Sequence, residues 1–124
     1  MSDRIIIEAT IRAYAAAWAA RDREAWLNTF AASAIQEDPV GSRKRRGRAE
    51  IAGFWDNAMA AYDSIEIIPR NFFIIGHEAA LEWTINATNA GGQVKLAGID
   101  VFVFDDQGLI TSVRAYWEKP HAEL

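Results

Sequence analysis

The sequence predicts an α+β fold in which helices pack on one face of a curved antiparallel sheet. Three observations lead there. Apolar residues recur at helical spacing through the first half of the chain, the period changes to two from residue 64, and the later segments are joined by "NAGGQ" and "DDQG", which suit antiparallel hairpins. Helices first and a run of strands afterwards is the α+β order. A chain of 124 residues reads as one domain, residues 1–124, long enough to bury a core without metals or disulfides.

In the first segment Ile7, Ile11, Tyr14 and Trp18 follow one another at spacings of four and three, so they share one helix face. Ser2 and Asp3 offer N-caps. Tyr14 therefore points where the apolar residues point, and its hydroxyl is carried inside, where it needs a partner. After the polar break "ARD", a short second helix is expected over "REAWLNTF". The next segment ends in "IQEDPVG"; the residue before a proline is biased toward extended backbone, which puts Asp38 at a strand end. "RAEIAGFWDNAMAAY" reads as a third helix with Ile51, Phe54, Trp55 and Met59 on its apolar side. Five strands are then expected: "SIEIIPR", "NFFIIG", "AALEWTINAT", "QVKLAGIDVFVFD" and "LITSVRAYWEK". In the third, Leu81, Trp83 and Ile85 alternate with Glu82, Thr84 and Asn86. Pro69 marks a strand end, a bulge or an edge.

Composition narrows the function. Hydrophobic residues make up 51% and charged residues 24%, as in ordinary globular domains. The absence of cysteine excludes a thiolate metal site and a cysteine nucleophile, and fits a reducing compartment such as the cytoplasm. The start carries only a three-residue apolar run, so no signal peptide is expected, and no stretch approaches the ~20 apolar residues of a membrane span. A net charge of -4 argues against nucleic acid as the main partner. No glycine-rich phosphate loop precedes a helix. His77 falls in a tight turn and His121 in the tail; neither is joined by a short motif to a carboxylate, so neither receives a role and no metal site is expected.

Four acidic or phenolic residues remain. Asp100, in "LAGIDVFVF", shares a strand face with Leu96, Phe102 and Phe104. Burial there would raise its pKa and leave a carboxyl able to donate a hydrogen bond; a twist, a bulge or an arginine partner would instead keep it ionised. Tyr14 is either a core tyrosine with a satisfied hydroxyl or a donor in a site. Glu37 and Asp38 are either a solvated turn or a general base at a pocket mouth. The basic run "RKRRGR", residues 43 to 48, gathers five of the 13 Lys and Arg; it is either a solvated loop or a site for an anionic ligand tail or acidic partner.

Taken in order, "IRAY" around Tyr14, "EDPVG" around Asp38, "IDVFVFDDQG" around Asp100 and "VRAYWEK" near the end resemble the ketosteroid isomerases (steroid Δ5-isomerases) of the NTF2-like, SnoaL-like superfamily, over nearly the whole chain. The resemblance implies a cone-shaped fold with three N-terminal helices on a curved antiparallel sheet, a small hydrophobic ketosteroid as substrate, no cofactor and a homodimer. Residue by residue, it implies that Asp38 removes a proton beside a 3-keto group and returns it two carbons away, and that Tyr14 and Asp100 hydrogen-bond the ketone oxygen as it becomes a dienolate. Apolar walls for a flat substrate are expected from Phe54, Trp55, Trp83, Phe102, Phe104 and Trp117, and Pro39 is expected to fix the backbone that aims Asp38. Relatives commonly carry a tyrosine at the position of Trp55, and some near that of Phe30, so the network behind Tyr14 is expected to differ. Two alternatives stay open: a SnoaL-type polyketide cyclase, and a non-catalytic module binding a hydrophobic ligand or a protein.

Overall fold

In the computed structural model, which describes residues 3–118, the helical half comes first, as the periodicity requires. Ser2 and His121 lie outside the described residues. Helix α1 spans Asp3–Ala20 and buries Ile7, Ile11, Tyr14 and Trp18 along one face. Arg21 then takes a left-handed backbone (φ 53°) that ends the helix. Its guanidinium reaches across to the carbonyls of Met59, Tyr62 and Asp63 at the end of the third helix, at 3.0–3.3 Å. Asp22 caps the second helix, α2 (Arg23–Leu27), its carboxylate accepting the Ala25 N–H at 3.0 Å. Helix α2 is shorter than the eight residues expected. The Thr29 hydroxyl donates to the Trp26 carbonyl at 2.7 Å, and Phe30 already opens the first strand.

The strands are β1 (Phe30–Glu37), a two-residue β2 (Arg45–Arg46), β3 (Ser64–Ile75), β4 (Glu78–Asn89), β5 (Gly92–Phe104) and β6 (Ile110–Tyr116), with helix α3 (Gly47–Ala61) between β2 and β3. They form one sheet in the order β2-β1-β6-β5-β4-β3. Two expectations change. The sheet is not wholly antiparallel, because β1 lies parallel to β6 after the chain crosses over through α3 and the hairpins. The segments around Pro69 form one strand, not two: β3 continues past the proline with a register shift between Pro69 and Asn71. This strand is the sheet edge, where a residue without an N–H costs no ladder bond.

Helix α1 packs against β3 and α3 against β1, so one face of the sheet is covered and curls around an aromatic core. Trp26, Phe30 and Phe102 are fully buried there. Burying each such side chain stabilises the fold by roughly 1.5–3 kcal/mol. At the other end of the same concave face a cavity remains.

Candidate active site

Strand β1 sets the first functional side chain. Glu37 turns outward and Asp38, one residue later, turns inward onto the cavity. Glu37 is held by the Arg114 Nε (2.9 Å) on one oxygen and the Gly41 N–H (2.9 Å) on the other. The Gly41 N–H first, and Arg114 second, keep its carboxyl below the usual range. With the Ser42 N–H and hydroxyl both donating to the Pro39 carbonyl (3.0 and 2.6 Å), this closes the turn that follows Asp38. The Asp38–Pro39 peptide is cis. Asp38 itself accepts the Trp117 Nε1–H at 2.6 Å through Oδ1. Removal from water pushes the Asp38 pKa up, while the Trp117 hydrogen bond and the Arg45 charge pull it back.

The second and third side chains come from α1 and β5. Tyr14 is 3% and Asp100 4% exposed, and both line the same cavity as Asp38. Asp100 Oδ1 is buried without a hydrogen-bond partner among the described residues, and no arginine or lysine pairs with it. Desolvation, then the Asp38 charge, raises its pKa well above the ordinary carboxyl value. Desolvation first, then the Asp100 and Asp38 charges, raise Tyr14 well above the ordinary phenol. The indoles of Trp83 and Trp26 favour the ionised forms of Asp100 and Tyr14 slightly, yet neither Nε1–H closes a hydrogen bond of good geometry. Both shifts favour the protonated forms, in which Asp100 and Tyr14 can donate a hydrogen bond.

The indole beside Tyr14 is that of Trp26 and not Trp55. Trp55 stacks with Trp18 (4.3 Å between centroids) and Trp26 (5.3 Å) one layer back. Tyr14 is ringed instead by Phe102 (5.3 Å), Trp26 (5.8 Å) and Phe30 (5.9 Å), the two phenylalanines edge-on. An aromatic jacket thus replaces a hydrogen-bonded network behind its hydroxyl.

Of the expected walls, Phe54, Trp83 and Trp117 line the cavity. Trp55, Phe102 and Phe104 do not: they are 0–3% exposed and fill the closed end of the cone. The remaining wall comes from residues that were not expected as walls, notably Ile65, Ile67, Ile85, Val94, Leu96 and Tyr62. The cavity has a volume of about 160 Å³, smaller than the roughly 300–1,000 Å³ of sites that enclose a drug-sized ligand, and it opens to solvent at its mouth. His77 stands elsewhere, in the β3–β4 turn beside Asp3 (3.4 Å) and Asp106 (3.8 Å). No group of three or more His, Asp or Glu among the described residues could hold a metal ion. No described helix is long and apolar enough to cross a membrane.

The arrangement sets one carboxylate across an apolar cavity from a phenol and a second carboxyl whose protonated forms are favoured. That combination can move a proton on carbon while supporting charge on an oxygen.

Comparison with known proteins agrees with this reading of fold and family. Residues 11–113 match the SnoaL-like domain family. The steroid Delta-isomerase of Nocardioides simplex is 34% identical over 111 residues, covering 90% of this chain and 89% of that protein. Among solved structures, the Delta 5-3-ketosteroid isomerase of a Mycobacterium species superposes with a TM-score of 0.81 at 26% identity, over 91% of this chain and 93% of that one. SalBIII, an epoxide hydrolase/cyclase-like enzyme of salinomycin pyran-ring formation, gives 0.85 at 27% identity, over 95% of both chains. The chain belongs to the SnoaL-like domain family.

Proposed function

We propose that this SnoaL-like protein is a steroid Δ-isomerase, moving a C=C bond from the Δ5 to the Δ4 position of a 3-ketosteroid. The observation that carries the reading is the meeting of Asp38, Tyr14 and Asp100 on one apolar cavity, with Asp100 unpaired. The likeness to a steroid Delta-isomerase supports the isomerase class.

The chemistry follows from the charges. Asp38, ionised, takes a proton from the carbon between the ketone and the double bond. The C–H electron pair moves toward the ketone oxygen and gives a dienolate. Tyr14 and Asp100 donate to that oxygen as it gains charge, in a site where water does not compete. Asp38 then returns its proton two carbons away, the carbonyl re-forms, and the product is the conjugated enone. Electrons and atoms balance without a second substrate. The Trp117 bond fixes Asp38 through Oδ1 and leaves Oδ2 for the proton.

The test follows enone absorbance with a Δ5-3-ketosteroid. Asp38→Asn is expected to lower kcat by at least ~10²–10⁴-fold, the usual worth of a general base, with little change in ligand affinity. The wild-type rate falls in acid, with a midpoint above the ordinary aspartate value, because desolvation raises the Asp38 pKa. Glu37→Gln acts on the turn, not the chemistry, and costs far less. No rate above buffer with several such steroids, or near-wild-type turnover in Asp38→Asn, overturns the assignment.

The likeness to SalBIII favours a second reading, cyclisation or ring opening of a polyketide-type substrate by the same carboxyls. Product identification by NMR separates the two, since isomerisation only moves a double bond, cyclisation forms a new ring at unchanged mass, and hydrolytic ring opening adds one water. We also propose that the protein acts as a cytoplasmic homodimer joined through the outer face of its sheet.

A further inference from the structure

The segment "AIQED" places a glutamine where strand alternation points into the protein. Glu37 faces outward with Arg114, so Gln36 faces inward, beside Val113 on β6 and Arg45 on β2. Gln36 is 0% exposed, and neither its amide nitrogen nor its amide oxygen has a partner among the described residues. A buried carboxamide with both ends unpaired is rare, because nothing offsets its lost hydration.

Arg45 stands directly opposite in the antiparallel β1–β2 pair, and directly opposed side chains share a face. Its Nη1 is also buried and unpartnered. Its guanidinium lies 5.0 Å from the centroid of Phe54, which lines the cavity. Arg45 is also near enough to Asp38 to favour that carboxylate. Its neighbours in the basic run differ: Arg43, Lys44 and Arg46 are exposed, as a solvated loop requires.

We infer that Gln36 and Arg45 form a polar subsite at the Asp38 side of the cavity that takes an anionic oxygen group of the ligand, a carboxylate or sulfate. Such a group accepts from a guanidinium N–H and a carboxamide N–H together, and so satisfies both buried donors. Its charge is balanced by Arg45, which keeps it compatible with Asp38 nearby. The inference rests on the cavity being the ligand site. It deepens the proposed function by making the preferred substrate an acidic conjugate and Arg45 a specificity-determining residue.

The test uses two neutral-versus-anionic pairs, followed by fluorescence titration: a 4-ene-3-ketosteroid against its 17-sulfate, and N-phenyl-1-naphthylamine against 8-anilinonaphthalene-1-sulfonate. In at least one pair, wild type is expected to bind the anion about 10- to 100-fold more tightly at low salt, the usual worth of a charged hydrogen bond. The preference narrows as salt rises. Arg45→Met abolishes the preference, weakening binding of the anion far more than that of its neutral partner; Arg45→Lys restores part of it. Gln36→Met weakens anion binding but raises Tm, because it removes an unpaired buried amide; a merely structural glutamine would lower Tm when replaced. Equal affinity for anion and neutral in both pairs, or a loss in Arg45→Met that is the same for both members, overturns the subsite. Isomerisation of a neutral steroid without anion preference sinks the subsite alone. Anion preference without isomerisation sinks the isomerase reading alone.

Discussion

Asp100 shows how far one residue's chemistry depends on its neighbours. Its native pKa is raised far above that of the unfolded chain, first by desolvation and then by the Asp38 charge. The native state therefore holds a proton that the unfolded state releases above about pH 4. Its contribution to stability is full below that pH and is lost as pH rises, by up to about 1.4 kcal/mol per pH unit, until the folded-state pKa is passed. Asparagine cannot titrate. Denaturation at a series of pH values is expected to show the stability of wild type relative to Asp100→Asn falling steadily above pH 4; a flat difference refutes a protonated Asp100. The comparison with Asp100→Asn matters because Asp38, also raised, slopes the same way. In the isomerase assay Asp100→Asn keeps a donor and substantial activity, while Asp100→Leu loses up to about 10²–10³-fold. Strand alternation made the inward face of Asp100 legible in the sequence, and helical spacing did the same for Tyr14. The Trp117–Asp38 bond was not legible as a contact, since it joins residues 79 apart that meet only when β6 lies beside β1.

At the scale of elements, β5 explains which aromatic walls were misplaced. Val94, Leu96, Asp100, Phe102 and Phe104 share one face, as the period of two indicates. Alternation identifies that face but not which end of the strand is open. Helix α1 closes over the Phe102 end, against Tyr14, and leaves Leu96 and Val94 to the cavity. Strand β2 was equally hidden, because two arginines in a basic run carry no strand pattern. Gly98, at the middle of β5, sits opposite Trp83. A Cβ there would stand 2.7 Å from the Trp83 ring and 2.6 Å from the Tyr116 carbonyl oxygen. The backbone oxygen cannot swing aside, so the indole or the strand must move. Gly98→Ala is expected to lower stability by about 1–3 kcal/mol, the usual cost of overpacking, and to weaken binding of a neutral steroid as Trp83 shifts off the cavity wall. Chemical denaturation and ligand titration check both; unchanged stability and affinity would mean that the sheet relaxes without cost.

For the whole molecule, the covered face of the sheet accounts for the site, and the uncovered face raises the question of assembly. Phe73, Ile75, Ile99, Val103 and Tyr116 are 37–82% exposed. Cross-strand registers place them in adjacent rows: Ile99 opposite Tyr116, Ile75 opposite Glu78 and so beside Val103, and Phe73 opposite Ala80 beside Val101. Contiguous apolar area of this kind marks an interaction surface. A two-fold axis through it would let each chain cover the other's rows, with Glu78 and Glu82 standing within the rows and Arg70 and Arg114 near enough to pair with their counterparts across the axis. A stable interface buries roughly 1,200–2,000 Å², which an open sheet face of this breadth can supply. Light scattering is expected to give twice the 13.8 kDa chain mass for wild type. Phe73→Arg with Ile75→Glu is expected to give the single-chain mass, and to remove any rise of Tm with protein concentration. Because these side chains point away from Asp38, Tyr14 and Asp100, a loss of turnover in that variant would report a site that needs its partner for rigidity. A wild type that scatters as a single chain at about 100 μM, far above the Kd of a standard-size interface, excludes the dimer and leaves this face without a partner in its own sequence.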